Sequence, residues 1–211
     1  MFSTEDQARI ADAVKEAEQT TSGEIVPFVV NRSDDYEEAE WRGGFFLGAA
    51  TLLVYETGYL FSGSWRGIAA GEISFIALIT ALSGLLAVKY SGFLKRLLAG
   101  RSTMDRRVAQ RAAEAFVSEE VFHTQDRSGI LLFISLLERK VLVVGDSGIN
   151  KKVDQHAWDT IVRITIDGIR EGRATEGIIK AVHECGSLLQ RHGVTIRKND
   201  VDELPNNLRQ G

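Results

Sequence analysis

Two apolar stretches in the middle of the chain decide its architecture: GGFFLGAATLLVYETGYLFSGS at residues 43–64 and ISFIALITALSGLLAVKYSGFL at residues 73–94. A helix that crosses a bilayer needs about 20 mostly apolar residues. Each stretch reaches that length with one ionisable residue inside it, Glu56 in the first and Lys89 in the second. We therefore predict a transmembrane helical hairpin over residues 42–100.

Aromatic and small residues favour the same interpretation. Trp41 and Trp65 bracket the first stretch, and indole rings favour the membrane interface. Gly44 and Gly48 have the four-residue spacing that lets membrane helices approach closely. The alternative is a large soluble α/β domain with two buried central helices, and the composition of the two stretches leaves that alternative open.

Basic residues near the two stretches predict the orientation. The short connector carries Arg66, whereas Arg32 and Arg42 precede the first stretch. Six basic residues follow the second stretch, and we expect this juxtamembrane basic set to face anionic lipid headgroups. Its members are Lys95, Arg96, Arg101, Arg106, Arg107 and Arg111. Because Lys and Arg accumulate on the cytoplasmic side, both termini and the soluble domain are predicted to be cytoplasmic, at the inner membrane.

Overall composition excludes some classes of function. The 211 residues carry a net charge of -4, which gives no global electrostatic footprint for nucleic acid. The single cysteine, Cys185, excludes an intramolecular disulfide and fits a reducing compartment. It falls on the apolar side of a predicted helix, so we interpret it as a buried structural thiol.

The segments on either side of the hairpin predict one soluble domain. Their order is helix and strand, then the hairpin, then a helix, two strands and two helices. This order predicts a compact α/β sandwich around a small mixed sheet. An even number of crossings returns the chain to the same membrane face, so the first strand can pair with the later ones. We predict a discontinuous domain of residues 1–41 plus 101–196 and a flexible tail over 197–211.

Two segments carry a family resemblance. The stretch TSGEIV at residues 21–26 and the longer stretch RSGILLFISLLERKV at residues 127–141, followed by GDSGI at 145–149, resemble the TPM domain family. The chain resembles that family's bacterial branch of predicted membrane proteins. The resemblance implies a compact α/β sandwich around a small sheet.

The resemblance also implies function. Members of the family include a plant thylakoid-lumen protein with acid phosphatase activity and accessory proteins of membrane complexes, and calcium binding is reported in the family. We therefore expect a non-enzymatic accessory or interaction module for the assembly or maintenance of membrane protein complexes, with an unidentified membrane protein as partner and calcium as the suggested cofactor. The alternative is a metal-dependent, acid-phosphatase-like enzyme.

Three carboxylates are candidate metal ligands. Asp34 and Asp35 follow the first strand, and Asp146 follows the third. Carboxylates at strand ends can converge on a hard cation such as calcium, which prefers oxygen ligands. The alternative is that Asp34 and Asp35 are solvated loop residues and that Asp146 is a turn residue before a helix.

Glu56 is the exceptional residue of the first stretch. An ionisable group inside a membrane is costly and is by default a functional hypothesis. In an antiparallel hairpin that turns near residues 64–72, Glu56 would face Thr80 and Ser83. The alternative places Glu56 within reach of the outer interface. We predict no catalytic residue, because none of the four histidines stands in a recognisable catalytic context.

Overall fold

The computed structural model describes residues 2–62, 70–196 and 203–211. The chain divides into two compact units, one formed by Met1–Ser33 with Arg106–Gly211 and the other by Asp34–Asp105. The predicted interface residue Trp65 and the connector residue Arg66 lie outside the described residues, as does part of the predicted tail. The elements in chain order are α1 (Thr4–Glu18), β1 (Glu24–Val30), α2 (Glu37–Ser62), α3 (Ala70–Tyr90), α4 (Gly92–Ala99), α5 (Arg101–Ser118), β2 (Gly129–Ser135), β3 (Lys140–Gly145), α6 (Ser147–Asn150), a 3-10 turn (Gln155–Trp158), α7 (Asp159–Arg170), α8 (Ala174–Arg191) and β4 (Arg209–Gln210).

The described residues of the first unit form a small mixed sheet in the order β3-β2-β1-β4. β1 is parallel to β2, with Glu24 opposite Gly129 and Val30 opposite Ser135. β3 returns antiparallel to β2. The predicted α/β sandwich around a small mixed sheet is therefore confirmed, and the strand before the hairpin pairs with a strand after it.

Both faces of the sheet are buried. Side chains alternate along a strand, so Ile25 and Val29 of β1 join one core while Val26 and Phe28 join the other. Helices α1, α7 and α8 cover the first face, and α5 covers the second. Two-sided burial explains why β1 and β2 are continuous apolar runs with no polar alternation.

The prediction of a flexible tail is wrong for residues 203–211. β4 pairs with Phe28 and Val29 of β1, and Leu204 and Leu208 are buried. A short strand and two buried leucines anchor this segment although its composition is polar. Residues 197–202 of the predicted tail lie outside the described residues.

In the second unit, α2 and α3 pack against each other through small residues. A Cβ placed on Gly44 would lie 3.0 Å from the carbonyl oxygen of Ala81, and one on Gly48 would lie 3.1 Å from the Cβ of Ala81. A Cβ on Gly84 would lie 2.5 Å from the carbonyl oxygen of Gly43. The predicted role of Gly44 and Gly48 in close helix approach is confirmed, and Gly43 and Gly84 extend this glycine seam.

The large apolar side chains of α2 and α3 point away from the seam. The fully or largely exposed ones include Phe45, Leu53, Phe61, Phe75 and Leu78. Of the most apolar 18-residue window in each helix, only 6% in α2 and 11% in α3 is buried. The two helices are therefore not buried in the structure, in contrast to the alternative of two buried central helices. Both helices are long and apolar enough to cross a membrane by length and composition.

The glycine seam leads to a first prediction. Gly84→Ala places a methyl group against the backbone of Gly43, and we expect this overpacking to destabilise the hairpin by about 1–3 kcal/mol. Gly71→Ala is the matched control, because a Cβ at Gly71 meets nothing within 4 Å. The measurement is the thermal unfolding midpoint of both variants in a mild detergent. Equal midpoints would show that the seam does not constrain the hairpin.

Candidate functional site

Asp146 caps the helix that follows β3. Its Oδ1 accepts a hydrogen bond from the backbone N–H of Ser147 at 2.5 Å, and its Oδ2 lies 2.7 Å from Nε of Arg127. Asp146 is 5% exposed, and the guanidinium of Arg127 also lies over the ring of Phe122. Arg127 adopts a left-handed φ of 55°, which turns the chain just before β2. Both carboxylate oxygens of Asp146 are therefore engaged within the fold.

Asp34 organises the loop after β1. Its Oδ1 accepts a hydrogen bond from the backbone N–H of Tyr36 at 2.7 Å, and Tyr36 has a left-handed φ of 53°. The carbonyl oxygen of Asp35 accepts a hydrogen bond from Nζ of Lys95 at 2.9 Å. This arrangement is an Asx-type turn, in which a short acidic side chain satisfies a nearby backbone donor.

Sheet topology separates the strand ends on which the metal hypothesis rested. Because β3 is antiparallel, its last residue, Gly145, pairs with Ile130 at the end of the sheet where β1 and β2 begin. β1 instead ends at Val30, opposite Ser135, roughly 20 Å away along the strands. The first and third strands therefore end at opposite ends of the sheet. Among the described residues, no group of three or more His, Cys, Asp or Glu side chains is arranged to hold a metal ion.

A buried polar cluster closes the opposite end of the sheet. The Oε1 of Glu138 accepts a hydrogen bond from the backbone N–H of Ser33 at 2.9 Å, and its Oε2 accepts one from Oγ of Ser135. The hydroxyls of Ser33 and Ser135 are 2.9 Å apart. Ser135 is fully buried and Glu138 is 5% exposed. The cluster fixes the β2–β3 turn against the chain that leaves β1, and burial keeps the Ser135 hydroxyl from acting as a nucleophile.

The predicted partners of Glu56 are wrong. Thr80 shares a 2.9 Å hydrogen bond with Thr51, and Ser83 donates to the carbonyl oxygen of Ile79 in its own helix. Thr51 precedes Glu56 by five residues, about 7.5 Å along a helix. The hairpin therefore has a different register from the one that a turn centred on residues 64–72 implies. Glu56 itself is exposed on the outside of α2.

Lys95 is not a lipid-facing residue. It is 3% exposed, and its Nζ lies 2.7 Å from Oε1 of Glu40 at the start of α2. A buried cation needs such a partner because desolvation is costly. Elsewhere in the predicted basic set, Arg101 and Arg106 are exposed, and Arg111 lies 3.6 Å from Glu114. Arg96 and Arg107 are half-buried.

Burial makes the thiol of Cys185 unsuited to nucleophilic chemistry. Cys185 is fully buried, and burial, followed by the charge of Glu184, raises the pKa of its thiol to about 12. The predicted structural thiol is confirmed in its burial. The four histidines, His123, His156, His183 and His192, are all exposed.

A recess of about 560 Å³ lies beside the end of α5. Its charged lining includes Glu119, Glu120 and Glu203, together with Arg209, which lies 2.9 Å from Oε2 of Glu119. Glu120 is exposed and has a left-handed φ of 53°. Because Arg209 offsets one of three carboxylates, the recess presents net negative charge and suits a basic group of a partner.

The sequence indicates the structural role of some of these residues but not of others. Ser135 is a polar residue at the end of an apolar run, which marks it for a hydrogen-bonded role. Gly84 interrupts an apolar helix and so indicates close packing. The pairing of Glu40 with Lys95 spans 55 residues, and no local pattern predicts it.

Comparison with known proteins shows what part of this chain is similar to. The sequence model of the TPM domain family matches residues 96–188. No curated protein matches the chain. Among solved structures, the chain is similar to the NMR structure of BA42 protein from the psychrophilic bacterium Bizionia argentinensis, with a TM-score of 0.60 and 19% sequence identity. The similarity covers 100% of this chain and 96% of that one, and at this identity it shows the fold alone.

Asp146 provides a second prediction. Asp146→Ala removes the helix cap and the ion pair, and we expect a loss of about 1–3 kcal/mol in the free energy of unfolding. Asp146→Asn keeps a capping side chain and loses only the pair with a half-exposed arginine, so it should cost less than about 1 kcal/mol. Denaturant unfolding measures both values, and an equal loss in the two variants would contradict the capping role.

The same variants test calcium binding, which stays a prediction. A metal that binds only the folded state raises its stability. If Asp146 is a calcium ligand, calcium raises the unfolding midpoint of the wild type and not that of Asp146→Asn. Calorimetric titration with calcium supplies the independent measurement, and no heat would end the hypothesis.

Burial of Cys185 provides a third prediction. Because the thiol pKa is raised from 9.0 to about 12 in the fold, stability from the protonated thiol is complete below pH 9 and is lost as pH rises toward 12. The unfolding midpoint of the wild type should therefore fall more steeply between pH 9 and 11 than that of Cys185→Ala. Parallel slopes would contradict the shift. Alkylation of the folded wild type at pH 8 should be slow until the protein is unfolded.

Proposed function

We propose that this chain, which carries a TPM domain, is a membrane-anchored protein whose domain serves as an accessory interaction module for membrane protein complexes. The hairpin of α2 and α3 holds it in the inner membrane, and the domain faces the cytoplasm. It assists the assembly or maintenance of a membrane protein partner.

The inside-out packing of the hairpin carries the anchoring part of the proposal. In a soluble helix pair, large apolar side chains face inward and small or polar ones face water. Here glycine and alanine form the contact, whereas Phe45, Leu53 and Phe61 are largely exposed. Lipid tails are as apolar as leucine, so membrane helices associate through small residues and leave the large ones outside.

Helix lengths and interface residues fit a bilayer. The 26 residues of α2 and the 21 of α3 extend about 39 Å and about 31 Å, which matches a hydrocarbon core of about 30 Å. Trp41 near the start of α2 and Tyr90 at the end of α3 are 69% and 81% exposed. Their amphipathic rings suit the headgroup level at the end of the hairpin where the chain enters and leaves.

Charge supports the cytoplasmic orientation. Arg42, Arg96 and Arg101 lie near the ends of the two helices where the chain enters and leaves the hairpin. The positive-inside rule expects an excess of basic residues on the cytoplasmic side. These residues also suit anionic headgroups, each contributing about 1 kcal/mol when close to the surface.

The domain offers an interaction surface in preference to a reaction centre. The recess beside α5 is open and carries exposed Glu120. The buried Ser135, Glu138 and Cys185 are held in place by the fold and are not accessible to a substrate. Within the described ranges, this arrangement favours the accessory role over the phosphatase-like alternative.

Anchoring and orientation give a fourth prediction. The protein should stay with membranes after an alkaline carbonate wash. In the Cys185→Ala background, Gly71→Cys should react with a membrane-impermeant maleimide in spheroplasts, whereas His156→Cys should react only after permeabilisation. Both positions are exposed, so the comparison reports topology alone.

Reversed labelling would place the domain outside the cytoplasm, and release by carbonate would remove the anchor. The accessory role is tested by co-purification from native membranes after crosslinking. Glu120→Lys should lose the partner, and Glu16→Lys, an exposed charge reversal elsewhere on the domain, should keep it. Hydrolysis of a phosphomonoester with calcium or magnesium that falls in Asp146→Asn would instead favour the enzyme.

A further inference from the structure

An apolar notch lies within the second unit, where α4 crosses the ends of α2 and α3. Its volume is about 290 Å³, and its walls include Gly43, Phe46, Gly84, Ala87, Leu94 and Leu98. At the base of the notch, Gly43 and Gly84 let the backbones of α2 and α3 approach closely. An apolar cavity does not hold ordered water, so its natural occupant is an apolar group.

A cationic side chain stands at the rim of the notch. Arg42 immediately precedes Gly43, and its Nη1 donates a hydrogen bond to the carbonyl oxygen of Leu98 at 2.8 Å. A guanidinium has five N–H donors in a planar fork, so this bond leaves the group able to bind a phosphate. The apolar walls suit the acyl chain of an anionic phospholipid, and the fixed cation suits its phosphate.

A buried ion pair keeps the notch in shape. Lys95 on α4 binds Glu40 on the first turn of α2 and the carbonyl oxygen of Asp35. This pair holds α4 against α2, so Leu94 and Leu98 stay over the glycines. The site is therefore built by the fold and does not depend on a loop.

We infer that this notch binds one anionic phospholipid, with an acyl chain against Gly43, Gly84 and Ala87 and the phosphate at Arg42. The inference rests on the proposed membrane anchoring. A flexible acyl chain can follow the apolar walls while its phosphate meets the remaining donors of Arg42, so we assign the notch to a lipid in preference to a helix of a second copy. Negative headgroup charge follows from Arg42.

The test uses the full chain purified in a mild detergent. Intact-protein mass spectrometry counts the phospholipid that stays bound, and vesicle-derived phosphatidylglycerol or phosphatidylcholine is then added back. Ala87→Phe fills the notch from an exposed position and should lower phosphatidylglycerol retention at least tenfold. Ala50→Phe, the same change at an exposed alanine of α2 away from the notch, should retain the lipid.

Arg42→Gln should weaken phosphatidylglycerol binding about fivefold and leave phosphatidylcholine binding unchanged, whereas Arg42→Lys should restore most of the difference. Unfolding midpoints that match the wild type confirm that the variants fold.

Equal retention in Ala87→Phe and Ala50→Phe, or equal binding of the two lipids, would overturn the inference. A doubled protein mass without lipid would assign the notch to a second copy. If the wild type resists carbonate extraction but holds no lipid, lipid binding by the notch is wrong and the proposed membrane anchoring is retained. If carbonate releases the wild type, the anchor itself fails.

Discussion

Parallel pairing of β1 with β2 is the constraint on which the rest of the chain depends. Parallel strands cannot be joined by a tight turn and need a long crossover connection. In this chain the connection contains the whole hairpin of α2 and α3, followed by α4 and α5. β1 and β2 nevertheless pair along their whole length, so the inserted hairpin does not divide the sheet.

Burial on both faces of the sheet sets the character of the domain. β1 and β2 are covered by α1, α7 and α8 on one side and by α5 on the other. Little room is left for polar groups, and two buried carboxylates have partners within the fold: Glu138 accepts a hydrogen bond from Ser33, and Asp146 pairs with Arg127. A domain built in this way offers its edges and recesses for binding, because its interior is fully occupied.

The hairpin of α2 and α3 is packed in the opposite way, with small residues inside and large apolar ones outside. Glycines face inward and phenylalanine and leucine face outward, which is costly in water and favourable in lipid. The basic residues of this unit also differ in their surroundings. Lys95 is placed inside against Glu40, where it secures α4, while Arg42 stays at the rim. Two basic residues therefore have different roles at positions that composition alone cannot distinguish.

The sequence by itself determined the two long apolar helices, the small-residue contact at Gly44 and Gly48, the α/β class and the TPM resemblance. These features depend on local periodicity and on motifs that lie close together in the chain. Only the tertiary structure decided which charges are buried and which ends of strands meet. Asp146 lies at the sheet end opposite the end of β1 because β3 runs antiparallel, and strand direction is set by long-range pairing. Lys95 is buried because Glu40 lies 2.7 Å away across 55 residues of chain, a contact that no local pattern encodes.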